Sequence, residues 1–347
     1  MGLLRTLHAW AGAILSILLV VLGLTGGLLA FKADWIRWRV PEARATVEAS
    51  PQVLAAAAEA LEHRWPGQIR YVVFASTRLG VHQVVFRDES QAYAAADGRP
   101  LALWRGPARV ESFVYELHHY LLAGEPGMYV GGAAGLAAAV LALTGLIVWW
   151  PSWRGFRARL WPRMLRRREL LATHKDLGAL FALPVILFCL TGGAHIFYRQ
   201  TEALLTGLFQ DREEELFLPP AYPGDVDWAK ALAAAQTRFP DAELRMAVWP
   251  GGPGEPAGVR LKRPGEWHPN GRTRVRIDPA SGAVLAADDA EALGRGMRLA
   301  NAVYPLHAAA VGGRAYDLLT FFTGLAVTAL GAFGLWSFLL KPRGRRR

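Results

Sequence analysis

Nine histidines are spread along the chain, and two of them recur in an identical setting. H-A-W-A-G at His8–Gly12 precedes L-T-G-G at Leu24–Gly27. H-K-D-L-G at His174–Gly178 precedes L-T-G-G at Leu190–Gly193 with the same spacing. Between those landmarks each copy is almost wholly apolar, the pattern of a segment that sits in lipid. An ionisable side chain there is costly, so each histidine is a candidate functional residue facing a bundle interior. Neutral imidazole is also a common axial ligand of haem iron. Gly12 and Gly178 fall on the same helix face one turn on, where the missing side chain lets a flat macrocycle lie against the backbone. Two such helices can grip one haem between them. The alternative is a pair of histidines near helix ends, reaching water at headgroup level.

A second pair follows from the same comparison. Leu117-His118 aligns with Leu306-His307, and Gly145-Leu146 with Gly334-Leu335, at equal separation. His118 and His307 therefore share a depth at the other side of the membrane from His8 and His174, and two pairs at two depths describe a wire for electrons. His195 has no counterpart in the first copy, where Leu29 stands. It can replace His118 or His307 as a ligand, gate a proton, or face the interface. His119 points about 100° away from His118 on a helix, so only one of them readily faces a common centre. His63, His82 and His268 lack metal-ligand spacing and read as surface or turn residues. Cys189 is the lone cysteine and no C-x-x-C-H occurs, so a haem here is held noncovalently and Cys189 is a packing residue.

These residues need long apolar elements to carry them. Four runs, about 7–31, 128–150, 177–197 and 316–340, each have the roughly 20 residues needed to cross a bilayer core. The first lacks a small-residue cleavage site and reads as a retained anchor rather than a removed signal peptide. The net charge of +10 is concentrated in the link Ser152–Glu169, with seven arginines, and in 341–347, with five basic residues. The positive-inside bias places both in the cytoplasm, with both termini. This distribution gives a nucleic-acid partner little support and leaves lipid as the main surroundings. Thr-Gly elements recur in all four runs, at Thr25, Thr144, Thr191 and Thr323. They read as sites of close helix contact.

Two polar segments remain, and both face outward on this topology. In the first, Ser50-Pro51 starts a helix by N-cap and first-turn proline logic. Strand signals follow at 69–75, 81–86 and 91–96, closed by Asp97-Gly98. The second segment repeats the order, with a helix over 230–239, strands at 244–249, 258–262 and 272–277, and D-P-A-S-G-A-V-L turning into another strand. The expected division is a first membrane helix in 1–31, an outward domain in 32–116, a second helix in 117–151 and a basic loop in 152–173. A third helix in 174–198, a second outward domain in 199–305, a fourth helix in 306–340 and a tail in 341–347 complete it. The fold class is thus membrane α-helical: a four-helix bundle with two small α+β domains, internally duplicated.

The L-H-A-W-A-G…L-G-L-T-G-G helix, the D-P-A-S-G-A-V-L turn and the doubled arrangement resemble the PepSY-associated transmembrane family of bacterial inner-membrane proteins, over Leu3 to Leu340. Members of that family include haem b ferric-siderophore reductases. The resemblance implies an inner-membrane oxidoreductase with two PepSY-like periplasmic domains and two haems b. His8 and His174 would hold the inner haem and His118 and His307 the likeliest outer one, with His195 outside the repeat. It also implies reduction of a ferric siderophore or other ferric chelate in the periplasm. The sequence carries no dinucleotide fingerprint, so the expected electron donor is a cytoplasmic reductase or membrane quinol. The rival expectations are a peptide- or protein-binding membrane module without redox activity, and a haem relay to a periplasmic redox protein.

Overall fold

The computed structural model describes residues 2–211 and 221–340; the basic tail 341–347 lies outside the described residues. Ten α-helices among them run in the order α1 (Gly2–Leu29), α2 (Lys32–Arg39), α3 (Pro51–Arg64), α4 (Val110–Tyr120), α5 (Gly124–Trp149), α6 (Arg167–Ile196), α7 (Tyr198–Phe209), α8 (Trp228–Arg238), α9 (Arg295–His307) and α10 (Gly313–Leu339). Strands β1 (Ile69–Val73), β2 (His82–Phe86), β3 (Gln91–Ala94) and β4 (Pro100–Trp104) lie between α3 and α4. Strands β5 (Glu243–Val248), β6 (Ala257–Lys262), β7 (Thr273–Ile277) and β8 (Val284–Asp288) lie between α8 and α9. The chain divides into two compact units, residues 1–31, 113–201 and 306–347, and residues 32–112 and 202–305.

The first unit holds α1, α5, α6 and α10, the four helices long and apolar enough to cross a membrane. Each packs on two others, α1 on α10 and α5, and α6 on α5 and α10, so the four close a ring. Small residues set the spacing. A Cβ on Gly324 would meet the carbonyl oxygen of Gly23, and one on Gly23 would stand 2.8 Å from that of Gly324. The α1–α10 backbones can approach this closely only because both positions are glycine. Leu170, Leu177, Ala326 and Phe333 fill the α6–α10 seam. The basic segment before α6 is tied to it by Arg159, whose guanidinium lies 2.7 Å from the buried carboxylate of Asp176.

His118 and His307 were expected at the starts of the second and fourth membrane helices. They instead end α4 and α9, which are separate from α5 and α10. The chain breaks in between, with Leu121 and Leu122 at φ 50° and 56° and Ala309 at φ 49°. Left-handed backbone at side chains with a Cβ stores strain, of order 1–3 kcal/mol each, and such strain often accompanies a constrained site.

The second unit corrects the expectation of two small separate domains. All eight strands form one antiparallel sheet in the order β4-β3-β2-β1-β5-β6-β7-β8. Val72 of β1 pairs with Val84 of β2 on one side and with Ala247 of β5 on the other. Each four-strand half would otherwise leave its innermost strand as an open edge, and joining β1 to β5 satisfies both rows of backbone groups. One core results: Leu54 and Leu61 of α3 and Trp228 and Leu232 of α8 bury with Val84, Leu244, Val259 and Val275. The local signals behaved as expected: Ser50 caps α3, accepting from the Val53 amide, and Pro51 occupies its first turn. Asp278 accepts hydrogen bonds from the Ser281 amide and hydroxyl in the D-P-A-S-G turn, with Gly282 at φ 74°.

His268 stands in a turn, as one expectation had it, its carbonyl accepting from the Gly271 amide, whereas His82, expected at the surface or in a turn, is buried on a strand. His82 lies on the inward face of β2. Its Nδ1 accepts from the Ala75 amide and its Nε2–H donates to Ala96, so it is a satisfied core histidine whose pKa burial pushes down.

Candidate functional site

Within the membrane unit the histidines come together in pairs. The rings of His8 on α1 and His174 on α6 have centroids 6.4 Å apart at 78°. Those of His118 and His307 are 6.1 Å apart at 23°. A third pair, His119 and His195, lies at 6.1 Å and 49°. His195 thus pairs with His119 rather than with His118 or His307.

Hydrogen bonds select one tautomer in the first two pairs. Thr144 donates its single hydroxyl proton to the carbonyl of Val140, so its oxygen accepts Nδ1–H of His8 at 3.1 Å. Thr25 donates to Val21 and accepts from Nδ1 of His118 at 3.0 Å. His307 donates Nδ1–H to the carbonyl of Phe188 at 3.0 Å, with Thr191 Oγ1 at 3.4 Å. His174, whose corresponding helix carries Phe333 where α5 carries Thr144, uses the carbonyl of Leu330 at 3.1 Å. A proton held on Nδ1 leaves the lone pair on Nε2, the form that binds a metal. Acceptors behind a ligating imidazole also orient the ring and raise its basicity.

Glycines of the neighbouring helices make room for these rings. A Cβ on Gly26 would stand 2.8 Å from Cε1 of His118, and one on Gly192 2.7 Å from Cε1 of His307. Gly145 and Gly334 face His8 and His174 in the same way, at 3.3 and 3.4 Å. Three of the four Thr-Gly elements, at Thr25, Thr144 and Thr191, therefore do more than bring helices together: the threonine oxygen lies against an imidazole Nδ1 and the glycine clears space for the ring, while Thr323-Gly324 serves α1–α10 packing alone. The sequence signal was present in their recurrence, but only the neighbouring-helix contact gives it this meaning.

The donor set fits haem: each pair offers two neutral imidazoles with Nδ1 hydrogen-bonded and Nε2 left as the donor atom, at ring separations of 6.4 and 6.1 Å. Gly12 has open space where its Cβ would be, and Gly178 meets only Leu330 Cδ2, at 3.6 Å. Both are compatible with the flat group expected beside them. Among the described residues no group of three or more histidine, cysteine or acidic side chains is placed to enclose a bare metal ion. Paired imidazoles suit a cofactor that brings its other four ligands with it. Along α1 the pairs are separated by the rise from His8 to Thr25, about 25 Å.

The sheet unit has a concavity of its own, a groove of about 400 Å³ whose lining includes Trp228, Trp249, Glu62, Asp225 and Glu255. These tryptophans and carboxylates share no local pattern in the sequence, because they come from α3, α8 and the loops that hold Asp225, Trp249 and Glu255.

A family model described as the PepSY-associated TM region matches residues 5–341. No curated protein matches the chain.

Proposed function

From a chain that belongs to the PepSY-associated TM region family and carries two pairs of Nδ1-bonded histidines, we propose a transmembrane electron-transfer protein that reduces ferric siderophores or other ferric chelates. His8 and His174 would hold one haem b, and His118 and His307 a second. When bound, haem would supply one-electron chemistry at its iron. The chain's part is to hold each imidazole by its Nδ1–H, through Thr144, Leu330, Thr25 and Phe188, which leaves Nε2 free to ligate. It also surrounds the pairs with apolar helices that keep water away. The observation that carries the reading is the set of four imidazoles in one tautomer, brought together in two pairs among the membrane helices.

On this reading the protein lies in the bacterial inner membrane with both ends in the cytoplasm, its sheet unit is periplasmic, and the chain is a duplication. The arginine-rich link supports that orientation, and the matched histidine and Leu-Thr-Gly-Gly landmarks support the duplication. Electrons would come from a cytoplasmic reductase or quinol. Reduction to ferrous iron weakens a chelate of hard oxygen ligands and releases the metal.

The test is reduction across a bilayer. Protein in liposomes with reductant inside should reduce a ferric chelate outside, and His8→Ala or His174→Ala should abolish it. Full activity in either variant would refute the assignment. The acidic, tryptophan-floored groove favours one second reading, a module that docks a basic peptide or protein; it gains if the protein takes up no haem.

A further inference from the structure

The third imidazole pair is not accounted for by two haems. His119 and His195 approach to 6.1 Å, yet neither is part of the repeated pattern. The separation that relates His8 to His174 carries His195 back onto Leu29. The separation that relates His118 to His307 carries His119 forward onto Ala308. The same frame therefore occurs twice in one chain, filled by leucine and alanine in one place and by two imidazoles in the other. Packing does not call for imidazoles there.

The surroundings match a small ligand rather than a macrocycle. One face of His119 is covered by Tyr115, stacked at 5.3 Å and 11°, and Tyr120 abuts it at 4.4 Å and 81°. His195 stands one residue before the end of α6 and His119 one before the end of α4, so the pair lies at the end of the membrane span. Two imidazoles sharing one ion at bonds of about 2 Å place their ring centres between about 5 Å, for a tetrahedral angle, and about 6.3 Å, for a linear one. The observed separation falls inside that range. Imidazole nitrogen suits zinc, copper, nickel and ferrous iron.

We propose that His119 and His195 form a third metal site, one that takes a single divalent transition-metal ion and completes its coordination with water. Two protein ligands make such a site exchangeable rather than structural. If the proposed reductase activity holds, its ferrous product is of the class this site takes; the site itself does not depend on that reading.

The experiment uses full-length, tag-free, haem-loaded protein, treated with chelator and dialysed against Ni2+, with nickel and haem counted per chain. The comparison is the double variant His119→Ala with His195→Leu, which installs the residues the chain already carries at Ala308 and Leu29. The wild type should bind one more nickel than the variant, with at least about tenfold loss of affinity in the variant and an unchanged haem count. Equal nickel binding in both proteins would overturn the proposal. A fall of one haem per chain in the variant would also overturn it, by making this pair a haem ligand set. Protein without haem that still shows the nickel difference would refute the proposed function while leaving this site standing.

Discussion

Thr144→Val separates the proton-accepting role of the Thr-Gly elements from simple helix packing. Valine keeps the shape of threonine and removes the oxygen that accepts Nδ1–H of His8 at 3.1 Å. A half-buried N–H left without its acceptor costs about 1–3 kcal/mol, and loss of a partner behind a metal-ligating histidine typically costs roughly 10–100-fold in affinity. Thr191→Val is the control built into the same chain. His307 keeps the Phe188 carbonyl at 3.0 Å, while the Thr191 contact is the longer one at 3.4 Å. That variant should lose no more than about 0.5 kcal/mol, since the stronger of two acceptors remains. The assay is the rate of haem transfer to an excess of apomyoglobin, followed separately for each haem by its reduced spectrum. Faster loss of one haem in Thr144→Val by at least tenfold, with near wild-type loss in Thr191→Val, is the expected result. Equal effects, or a larger effect at Thr191, would refute the reasoning.

Other consequences follow from the same contacts. Gly26→Ala or Gly192→Ala places a methyl group within 2.8 Å of His118 or 2.7 Å of His307; either should displace one haem or shift its midpoint potential while the other haem keeps its spectrum. His82 is held neutral by burial, so below its ordinary pKa of about 6.5 the unfolded chain binds a proton that the folded chain resists. Stability of the sheet should therefore be constant above that pH and fall as pH drops beneath it. Hydrogen exchange of β1 and β2 amides would show this, and His82→Gln should flatten the dependence. Arg159→Gln leaves the buried Asp176 carboxylate unpaired and should cost about 3 kcal/mol, the low end because Arg159 is itself a third exposed. Thermal unfolding should recover in the double variant with Asp176→Asn, and failure to recover would show that Arg159 acts otherwise.

The parts of the site that were legible in the sequence are those written in local spacing. His8 and His174, and His118 and His307, announce themselves by matched distances to Leu-Thr-Gly-Gly and Gly-Leu, and the structure brings each pair together. The partners behind the rings were not legible, because Thr144, Thr25 and Phe188 reach them from neighbouring helices. The approach of His119 to His195 is not legible either, because neither belongs to the repeat and nothing local says that they face one another.

The fold divides along the same line. Caps and turns such as Ser50-Pro51 and Asp278–Gly282 depend on a few adjacent residues and appear where expected. β4 carries a weak local signal because it begins at Pro100, two residues after the Asp97-Gly98 turn, and proline weakens a strand pattern. The β1–β5 pairing joins segments far apart in sequence, and no local pattern records which edges meet. The breaks after α4 and α9 were hidden by apolar residues that run on past His118 and His307. His82 was misjudged because a lone histidine in a strand carries no sign of which face it occupies until the register is known.

The proposed function requires that paired imidazoles in this membrane unit hold two haems. The most direct measurement is the dithionite-reduced minus oxidised spectrum of detergent-purified protein, with a pyridine haemochrome count per chain. The account predicts two b-type haems, falling to one in His8→Ala and in His307→Ala. Protein expressed with ample haem that carries none, or a count unchanged in both variants, would contradict it.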